Sequence, residues 1–252
     1  MRLSPELLMG IFSQVAASPF SADGSSSLPS DGHYAVLSGD LVASSKLSSK
    51  ESSNAMQWLR NASEMVADLH PGAVVDRIDT FRHDSWQLLL RKPEISLRTA
   101  ILLRTRLRAE SSSGASYDSR VSIGIGPVEL ISEDGISNSR GQAFTISGQG
   151  LDSMSEPRLA HTSAYATPPL FWESIARGAL PLADAIVGGW TPSESRAMLG
   201  TLQGWTQRRT AEYWGSITQQ AVSDAVRRAH GDRIMRLLRW YEKSVQQALE
   251  LV

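Results

Sequence analysis

The sequence predicts an α+β protein in which a mixed-sheet α/β sandwich precedes an all-helical region. Two patterns carry this prediction. Up to about residue 165, short apolar runs with the two-residue period of strands alternate with longer runs of helical period. From Pro168 onward, the apolar patterns are all helical. The expected order in the first region is β-α-β-β-α-β-β-α-β, which packs helices on a mixed sheet.

The chain divides into three predicted segments. Residues 1–32 comprise a short amphipathic helix, with Ser4 as its N-cap and Pro5 in its first turn, and a Ser-rich linker. Residues 33–167 form the α/β sandwich. Residues 168–252 form a helical connector, a helix-turn-helix and a C-terminal helix.

Each element of the sandwich has its own signal. Alternating apolar residues mark the strands, and apolar residues at helical spacing mark the helices. The expected elements are a strand at 33–39, a helix at 48–69, a hairpin of strands at 73–81 and 85–90, a helix from Pro93, the strand pair RVSIGIG and PVELIS, a partly helical stretch GQAFTISGQGLDSM and a last strand at 158–164.

Composition excludes several classes of protein. Hydrophobic residues make up 41% of the 252 and charged residues 20%, as in a globular protein rather than a disordered one. The sequence has no Cys, which excludes disulfides and thiolate metal sites, and no apolar run approaches the roughly 20 residues that span a bilayer. We therefore expect a cytoplasmic protein with no membrane partner.

Charge is unevenly distributed along the chain. From Trp190 onward, nine Lys and Arg residues stand against six Asp and Glu residues, whereas the rest of the chain is acidic. This asymmetry permits contact between the C-terminal region and nucleic acid without requiring it.

A pair of aspartates marks the candidate metal site. Asp40 ends the first strand, and Asp84 lies in the turn of the following hairpin. Strand ends that meet at one edge of a sheet could supply two carboxylates to Mg²⁺ or Mn²⁺, hard cations that take oxygen ligands together with phosphates. The alternative is that Asp40 caps the next helix and Asp84 makes an ordinary turn.

The loop after Asp40 is the candidate phosphate site. Its small residues would let backbone N–H groups approach a nucleotide. The predicted phosphate-binding residues are Leu41, Val42, Ala43, Ser44 and Ser45.

These motifs, in this order, resemble those of class III nucleotidyl cyclase-like domains. The motifs are SGDLVASSKLS, FRHDSWQLLL, RVSIGIGPVEL and GQAFTISGQGLD. They are most similar to the bacterial SatD family, which joins such a domain to a C-terminal helix-turn-helix. The resemblance implies a cyclase-like, ferredoxin-like palm over residues 33–167, with Asp40 and Asp84 at the two metal-binding positions.

Two departures from active cyclases bear on turnover. The last catalytic segment of those enzymes presents an Asn and an Arg, but Thr145 and Gln149 stand at these places here. His83 replaces a Gly that is usual before the second aspartate, and it enters left-handed backbone space less easily. Loss of a cationic clamp on a transferring phosphoryl group is costly to catalysis, so the resemblance favours ligand binding over turnover.

A helix, a turn and a second helix are predicted in RRTAEYWGSITQQAVSDAVRRAH. Ala211 allows close packing, Gly215 permits a sharp turn, and Thr218 caps the second helix. Gln, Ser and Arg on the outer face of that helix suit base edges and phosphates in the major groove. The candidate DNA-binding residues are Arg208, Arg209, Thr218, Gln219, Gln220, Ser223, Arg227 and Arg228.

Two features of this segment favour another interpretation. The turn Gly215-Ser216-Ile217 is one residue longer than usual, and Asp224 lies on the proposed DNA face. The alternative is a plain helical hairpin that packs on the first domain.

Two functions from different classes follow. The first is a DNA-binding transcriptional regulator that forms a homodimer, whose cyclase-like domain binds a nucleotide or metal or mediates dimerisation. The second is a Mg²⁺- or Mn²⁺-dependent nucleotidyl cyclase that converts an NTP to a cyclic nucleotide. The altered catalytic segment favours the first. An adaptor that acts through protein contacts alone is a third possibility.

Overall fold

A computed structural model describes residues 32–81, 84–155, 158–163, 171–215 and 217–251. The predicted N-terminal helix and most of the linker lie outside the described residues, as do Arg82 and His83 of the hairpin turn and Ser216 of the second turn.

Within these ranges the chain forms five strands and eight α-helices, which confirms the mixed α/β class. The elements are β1 (His33–Leu41), α1 (Ser49–Leu69), β2 (Asp79–Phe81), β3 (Ser85–Leu90), α2 (Ser96–Ala109), β4 (Ser119–Pro127), α3 (Gln142–Asp152), β5 (Leu159–Ser163), α4 (Phe171–Gly188), α5 (Pro192–Leu202), α6 (Gln207–Trp214), α7 (Gln219–Arg228) and α8 (Gly231–Leu249).

The strands form one mixed sheet in the order β2-β3-β1-β4-β5. The central strand β1 is antiparallel to both β3 and β4, and β5 is parallel to β4. Side chains of β1 alternate between two cores, because successive residues of a strand point to opposite faces. Ala35 and Leu37 join the core that includes α1 and α2, whereas Tyr34 and Val36 join the smaller core that includes Phe144 of α3.

Two predicted strands are wrong in extent. Only Asp79–Phe81 of the expected strand 73–81 pairs continuously with β3, and Val74 makes an isolated bridge to Leu90. PVELIS does not form a strand of its own, since Pro127 is the last residue of β4 and Leu130 only bridges Arg140. The physical reason is that β4 already has β1 on one edge and β5 on the other, so it has no free edge for a hairpin partner.

The main hydrophobic core crosses the predicted boundary at residue 167. One continuous cluster contains Leu37 of the sheet and Leu103 of α2 together with Trp190, Leu199 and Leu238 of the helical region. The division into separate domains remains a prediction.

Helix starts in the C-terminal region follow local sequence closely. The pair Thr191-Pro192, an N-cap residue followed by Pro in the first helical turn, begins α5, where Thr191 and Glu194 form a reciprocal capping box. Among the described helices, none has both the length and the apolar character needed to cross a bilayer.

A buried cluster of charges joins the sheet to the helical region; we call Arg104, Arg108, Asp118, Arg158 and Asp184 the ion cluster. The Arg104 side chain is fully buried between Asp118 and Asp184, and its Nε and Nη2 donate to the Asp118 carboxylate at 2.9 and 3.0 Å. Arg108 and Arg158 also donate to Asp118 Oδ2, at 3.0 and 3.1 Å. The backbone N–H of Arg158 donates to Asp184 at 3.0 Å.

Burial alone raises the pKa of the Asp118 carboxyl, but Arg104 and Arg108 outweigh this effect and hold the pKa below its ordinary value. Burial likewise lowers the pKa of Arg104, and the two carboxylates raise it above its ordinary value on balance. Asp118 and Arg104 are therefore both ionised at neutral pH.

Replacing Asp118 with Ala should lower the free energy of unfolding by about 3–5 kcal/mol, because it leaves a buried guanidinium without its main partner. Urea titration would measure this loss. The exposed Asp68→Ala on α1 is the control and should change stability by less than about 0.5 kcal/mol.

The difference in stability between wild type and Asp118→Ala should depend on pH. Since the folded pKa of Asp118 lies below the unfolded value of 3.8, its contribution is complete above that value and is lost as pH falls through the folded pKa. The stability difference between wild type and Asp118→Ala should thus be constant at neutral pH and shrink in acid. A difference that grows in acid would contradict the assignment.

Candidate functional sites

The two candidate metal-binding aspartates line one cavity. Asp40 pairs with Ser85 across the β1–β3 ladder, so Asp84 lies one residue beyond that pair. The N–H of Leu41 donates to the backbone carbonyl of Asp84 at 2.9 Å. Both side chains border a cavity of about 350 Å³, which we call the cleft. Its lining residues are Asp40, Leu41, Val42, Ala43, Ser44, Asp84, Arg120, Ser155 and Arg158.

Arg120 is a cleft residue that the sequence did not single out. Its Nε donates to Asp40 Oδ1 at 2.8 Å, and its Nη2 donates to Asp40 Oδ2. Its Nη1 donates to the carbonyl of Met154 at 2.6 Å. The hydrogen bond to Asp40 raises the pKa of Arg120 above its ordinary value. The signal was present, because Arg120 opens the motif RVSIGIG and lies opposite Asp40 in the β1–β4 register, but the register is known only from the structure.

The Asp84 carboxylate is also partnered. Its Oδ2 accepts a hydrogen bond from Ser44 Oγ at 2.7 Å, and its Oδ1 accepts a longer one from Ser85 Oγ at 3.3 Å. Ser44 therefore ties the loop after β1 to the start of β3, and it fixes the loop beside both carboxylates.

The donor set of the cleft fits a hard divalent cation, for which carboxylate oxygens are preferred ligands. Asp40 and Asp84 would hold the ion, and Asp40 would first have to leave Arg120. Within the described ranges, no group of three or more His, Asp or Glu side chains is placed to hold a metal. An ion in the cleft would thus need oxygen ligands from water or from a bound phosphate. The metal role of Asp40 and Asp84 remains a prediction.

The predicted phosphate loop divides into two parts. The N–H groups of Leu41 and Val42 already donate to the carbonyls of Asp84 and Asp118, both at 2.9 Å. These two residues therefore cannot donate to a phosphate without breaking those bonds, because β1 continues to Leu41, further than the apolar run suggested. Their role in phosphate binding remains a prediction.

The other three loop residues retain open donors. Ala43 adopts a left-handed conformation, with φ 54° and ψ 36°, and Ser44–Lys46 form one 3₁₀ turn. No acceptor in the described part of the chain pairs with the N–H groups of Ala43, Ser44 or Ser45. A left-handed residue followed by a helical turn directs successive N–H groups to one side, which is a favourable arrangement for an anion.

Thr145 and Gln149 are exposed on α3 and are not among the cleft-lining residues. The buried side of α3 packs on the sheet, where Ser147 and Ser38 share a hydrogen bond of 2.9 Å. The two positions that depart from the cyclase pattern thus face solvent in this chain.

Two short helices joined by a turn occupy the predicted helix-turn-helix segment. Gly215 ends α6 with φ 65°, a left-handed conformation that suits Gly. Thr218 caps α7, and its Oγ accepts the N–H of Ala221 at 3.1 Å. Val222 of α7 is buried against Ala197 of α5, so three helices share a small core. The predicted elements and caps are confirmed, and DNA binding by them remains a prediction.

The outer face of α6 and α7 is polar and carries several cations. The exposed candidates are Arg208, Arg209, Thr218, Gln219, Gln220, Arg227 and Arg228, while Ser223 is half-buried. Each Arg has a neighbour on the surface: Arg208 pairs with Glu212, Arg209 lies over the Trp205 ring, Arg227 pairs with Asp224 and Arg228 pairs with Glu194. Exposed pairs of this kind are weak, typically below about 1 kcal/mol, and so they can exchange for phosphates.

No protein-family model matches the chain, and no curated protein matches it. The geometry of the cleft and of the α6–α7 face therefore carries the functional interpretation.

Gly39, next to Asp40, has a structural reason to be Gly. A Cβ at this position would overlap the Trp86 indole and lie 2.6 Å from the Arg120 carbonyl oxygen. Trp86 is fully buried, and its Nε1 donates to Ser119 Oγ at 3.0 Å. Close approach of the indole accounts for Gly39.

Gly39→Ala should destabilise the fold by about 1–3 kcal/mol, because the added methyl group overpacks the core under the cleft. Thermal or urea unfolding would measure the loss. The matched control is Gly148→Ala on α3, where a Cβ meets nothing within 4 Å. It should be neutral or stabilise by up to about 1 kcal/mol. Equal losses in the two variants would contradict the packing explanation.

Proposed function

We propose that the protein is a DNA-binding transcriptional regulator of the SatD type, in which a degenerate cyclase-like domain binds a nucleotide. The observation that carries the DNA-binding part is the outer face of α6 and α7. There Gln219 and Gln220 stand exposed in the first turn of a capped helix that carries Arg227 and Arg228 in its last turn.

This face has the chemistry that reads duplex DNA. Gln pairs with adenine edges in the major groove, and Arg227 suits guanine or a phosphate. Arg208 and Arg209 on the preceding helix would position the module on the backbone. Gly215 ends α6 in a left-handed conformation, which allows the sharp turn that a helix-turn-helix needs before its second helix. A homodimer would present two such helices to a two-part site.

The strand order supports the cyclase-like interpretation of the first region. The succession β1-α1-β2-β3-α2-β4, with the spatial order β2-β3-β1-β4 and antiparallel neighbours, is that of the split β-α-β, or ferredoxin-like, arrangement. Asp40 at the end of β1 and Asp84 just before β3 occupy the positions that the resemblance implies for metal ligands.

The cleft would hold a nucleotide through its phosphates. Arg120, Arg158 and the open N–H groups of Ala43 to Ser45 supply donors, and Asp40 and Asp84 would bind Mg²⁺ or Mn²⁺. A bound metal would neutralise phosphate charge. The chain itself would orient the phosphates and keep the loop in place through the Ser44–Asp84 hydrogen bond.

A metal-dependent nucleotidyl cyclase is the second candidate function. The observation that favours it is that Asp40 and Asp84 share one cavity. Thr145 and Gln149 stand against it, because neither is a cation and neither lines the cleft where the reaction would develop charge.

The DNA-binding proposal predicts a sequence-specific site. Selection from random duplexes followed by fluorescence anisotropy should yield a preferred sequence. Gln219→Ala combined with Gln220→Ala should reduce preference for that sequence by at least about tenfold and leave nonspecific binding unchanged. Arg208→Gln should instead weaken binding to all sequences and lower the salt slope by about 0.9.

Arg140→Gln is the charge-matched control, since Arg140 is exposed beside α3 on the other face of the sheet. It should bind DNA as wild type does. Absence of any retained sequence at moderate salt, with or without nucleotides, would overturn the DNA-binding proposal.

The cleft proposal predicts opposite effects of two substitutions on Mn²⁺ binding. Asp40→Asn should abolish binding measured by electron paramagnetic resonance, because it removes a charged ligand. Arg120→Gln should strengthen the binding of Mn²⁺ in the absence of nucleotide, since it releases both Asp40 oxygens. The same substitution should weaken the binding of ATP, because the cleft loses a hydrogen-bond donor to the phosphates.

Incubation with each NTP and Mn²⁺ separates the two candidate functions. A cyclic nucleotide that disappears in Asp40→Ala would establish the cyclase.

In the Mn²⁺ binding assay, loss of Mn²⁺ binding in Arg120→Gln would contradict the metal assignment.

A further inference from the structure

We propose that the ion cluster couples the cleft to helix α7, so that an anion bound in the cleft stabilises the DNA-reading helix. This inference rests on the proposed function for the roles of the two ends. The coupling itself follows from contacts that run without a break from the cleft to the C-terminal end of α7.

The first contact is made by Arg158, which belongs to the cleft and to the ion cluster at once. Its side chain lines the cleft and is 34% exposed. Its Nη1 donates to the buried Asp118 carboxylate at 3.1 Å. The backbone of Asp118 reaches the cleft as well, because its carbonyl accepts the N–H of Val42. The cleft thus touches the ion cluster through a side chain and through the loop.

The second contact is a crowded carboxylate oxygen. Asp118 Oδ2 accepts from Arg104 Nη2, Arg108 Nη1 and Arg158 Nη1 at 3.0 to 3.1 Å. A carboxylate oxygen has two lone pairs, so three donors compete for it. The ion cluster also contains three guanidinium groups and only two carboxylates. The excess positive charge favours an anion at the exposed member, Arg158.

The third contact passes through Arg108 to the junction of α4 and α5. Arg108 Nη2 donates to the carbonyl of Gly188 at 2.5 Å and to that of Trp190 at 2.7 Å. Because the guanidinium is planar and rigid, a shift in its hydrogen bond to Asp118 also shifts its hydrogen bonds to the two junction carbonyls.

The last contact joins the junction to α7. Trp190 is buried, and its Nε1 donates to the carbonyl of Ala229 at 2.9 Å. Ala229 is the C-cap of α7, where carbonyls lack partners within the helix. The indole N–H therefore supports the end of the proposed recognition helix.

These contacts give the coupling a direction. An anion that draws Arg158 toward the cleft leaves Asp118 Oδ2 to Arg104 and Arg108. Arg108 is then held more firmly, and with it the junction, Trp190 and the end of α7. Because coupling between two sites is reciprocal, DNA bound to α7 should also raise the affinity of the cleft for the anion.

Hydrogen exchange with inorganic triphosphate as the probe tests the proposal on the full chain. Binding is first measured by calorimetry. At saturation, exchange at residues 226–230 should slow by at least about fivefold, the lower end of ordinary coupling between sites. Arg140→Gln, the charge-matched control, should keep the full effect.

Two variants interrupt the series of contacts at residues that do not line the cleft. Trp190→Phe removes the hydrogen bond to Ala229, and Arg108→Lys removes the fork that holds both junction carbonyls. Both variants should still bind triphosphate, with saturation checked by calorimetry for each, and both should lose the slowing at 226–230. If Trp190→Phe fails to fold, Arg108→Lys decides alone.

The outcomes separate this inference from the proposed function. Failure of wild type to bind triphosphate overturns the cleft proposal and the coupling together. Binding without slowing at 226–230 overturns the coupling only. Slowing that persists in both variants also overturns the coupling, since α7 would then respond by another route.

Discussion

The rest of the structure depends on one buried cation, the Arg104 guanidinium. The guanidinium has no exposed surface, and its hydrogen-bond partners are the carboxylates of Asp118 and Asp184. These two residues lie 14 and 80 positions further along the chain. A charge at that depth is tolerated only when its partners and hydrogen bonds are all in place. The requirement fixes α2, the start of β4 and α4 relative to one another. The sandwich and the helical region are joined at this point by electrostatics as well as by apolar packing.

The cleft lies next to the ion cluster, since Arg158 belongs to both. Its two aspartates are brought together by the pairing of β1 with β3, and Arg120 is added by the pairing of β1 with β4. Both carboxylates are already engaged, one by a guanidinium and the other by two hydroxyl groups. A ligand must therefore exchange these partners for better ones, which favours metal and phosphate arriving as a pair over either alone.

The α6–α7 surface differs from the cleft in how local sequence specifies it. Gly215 and Thr218 define the turn and the cap by their own backbone and side-chain chemistry, and Val222 at helical spacing defines the buried side. The residues of α7 that do not lie on this buried side form its outer face. Local rules suffice here because each feature depends on residues within one or two helical turns.

The sequence by itself determined the mixed α/β class, the helix starts at Ser48 and Thr191, and the polar face of α7, since these follow from periodicity and capping. Only the tertiary structure decided that PVELIS forms no strand of its own, that Leu41 and Val42 lack free N–H groups, and that Arg120 faces Asp40. Each of these depends on sheet order and register, which are set by contacts between residues far apart in the chain. The ion cluster belongs to the same group, because no local pattern shows which arginine will be buried until its two carboxylates meet it.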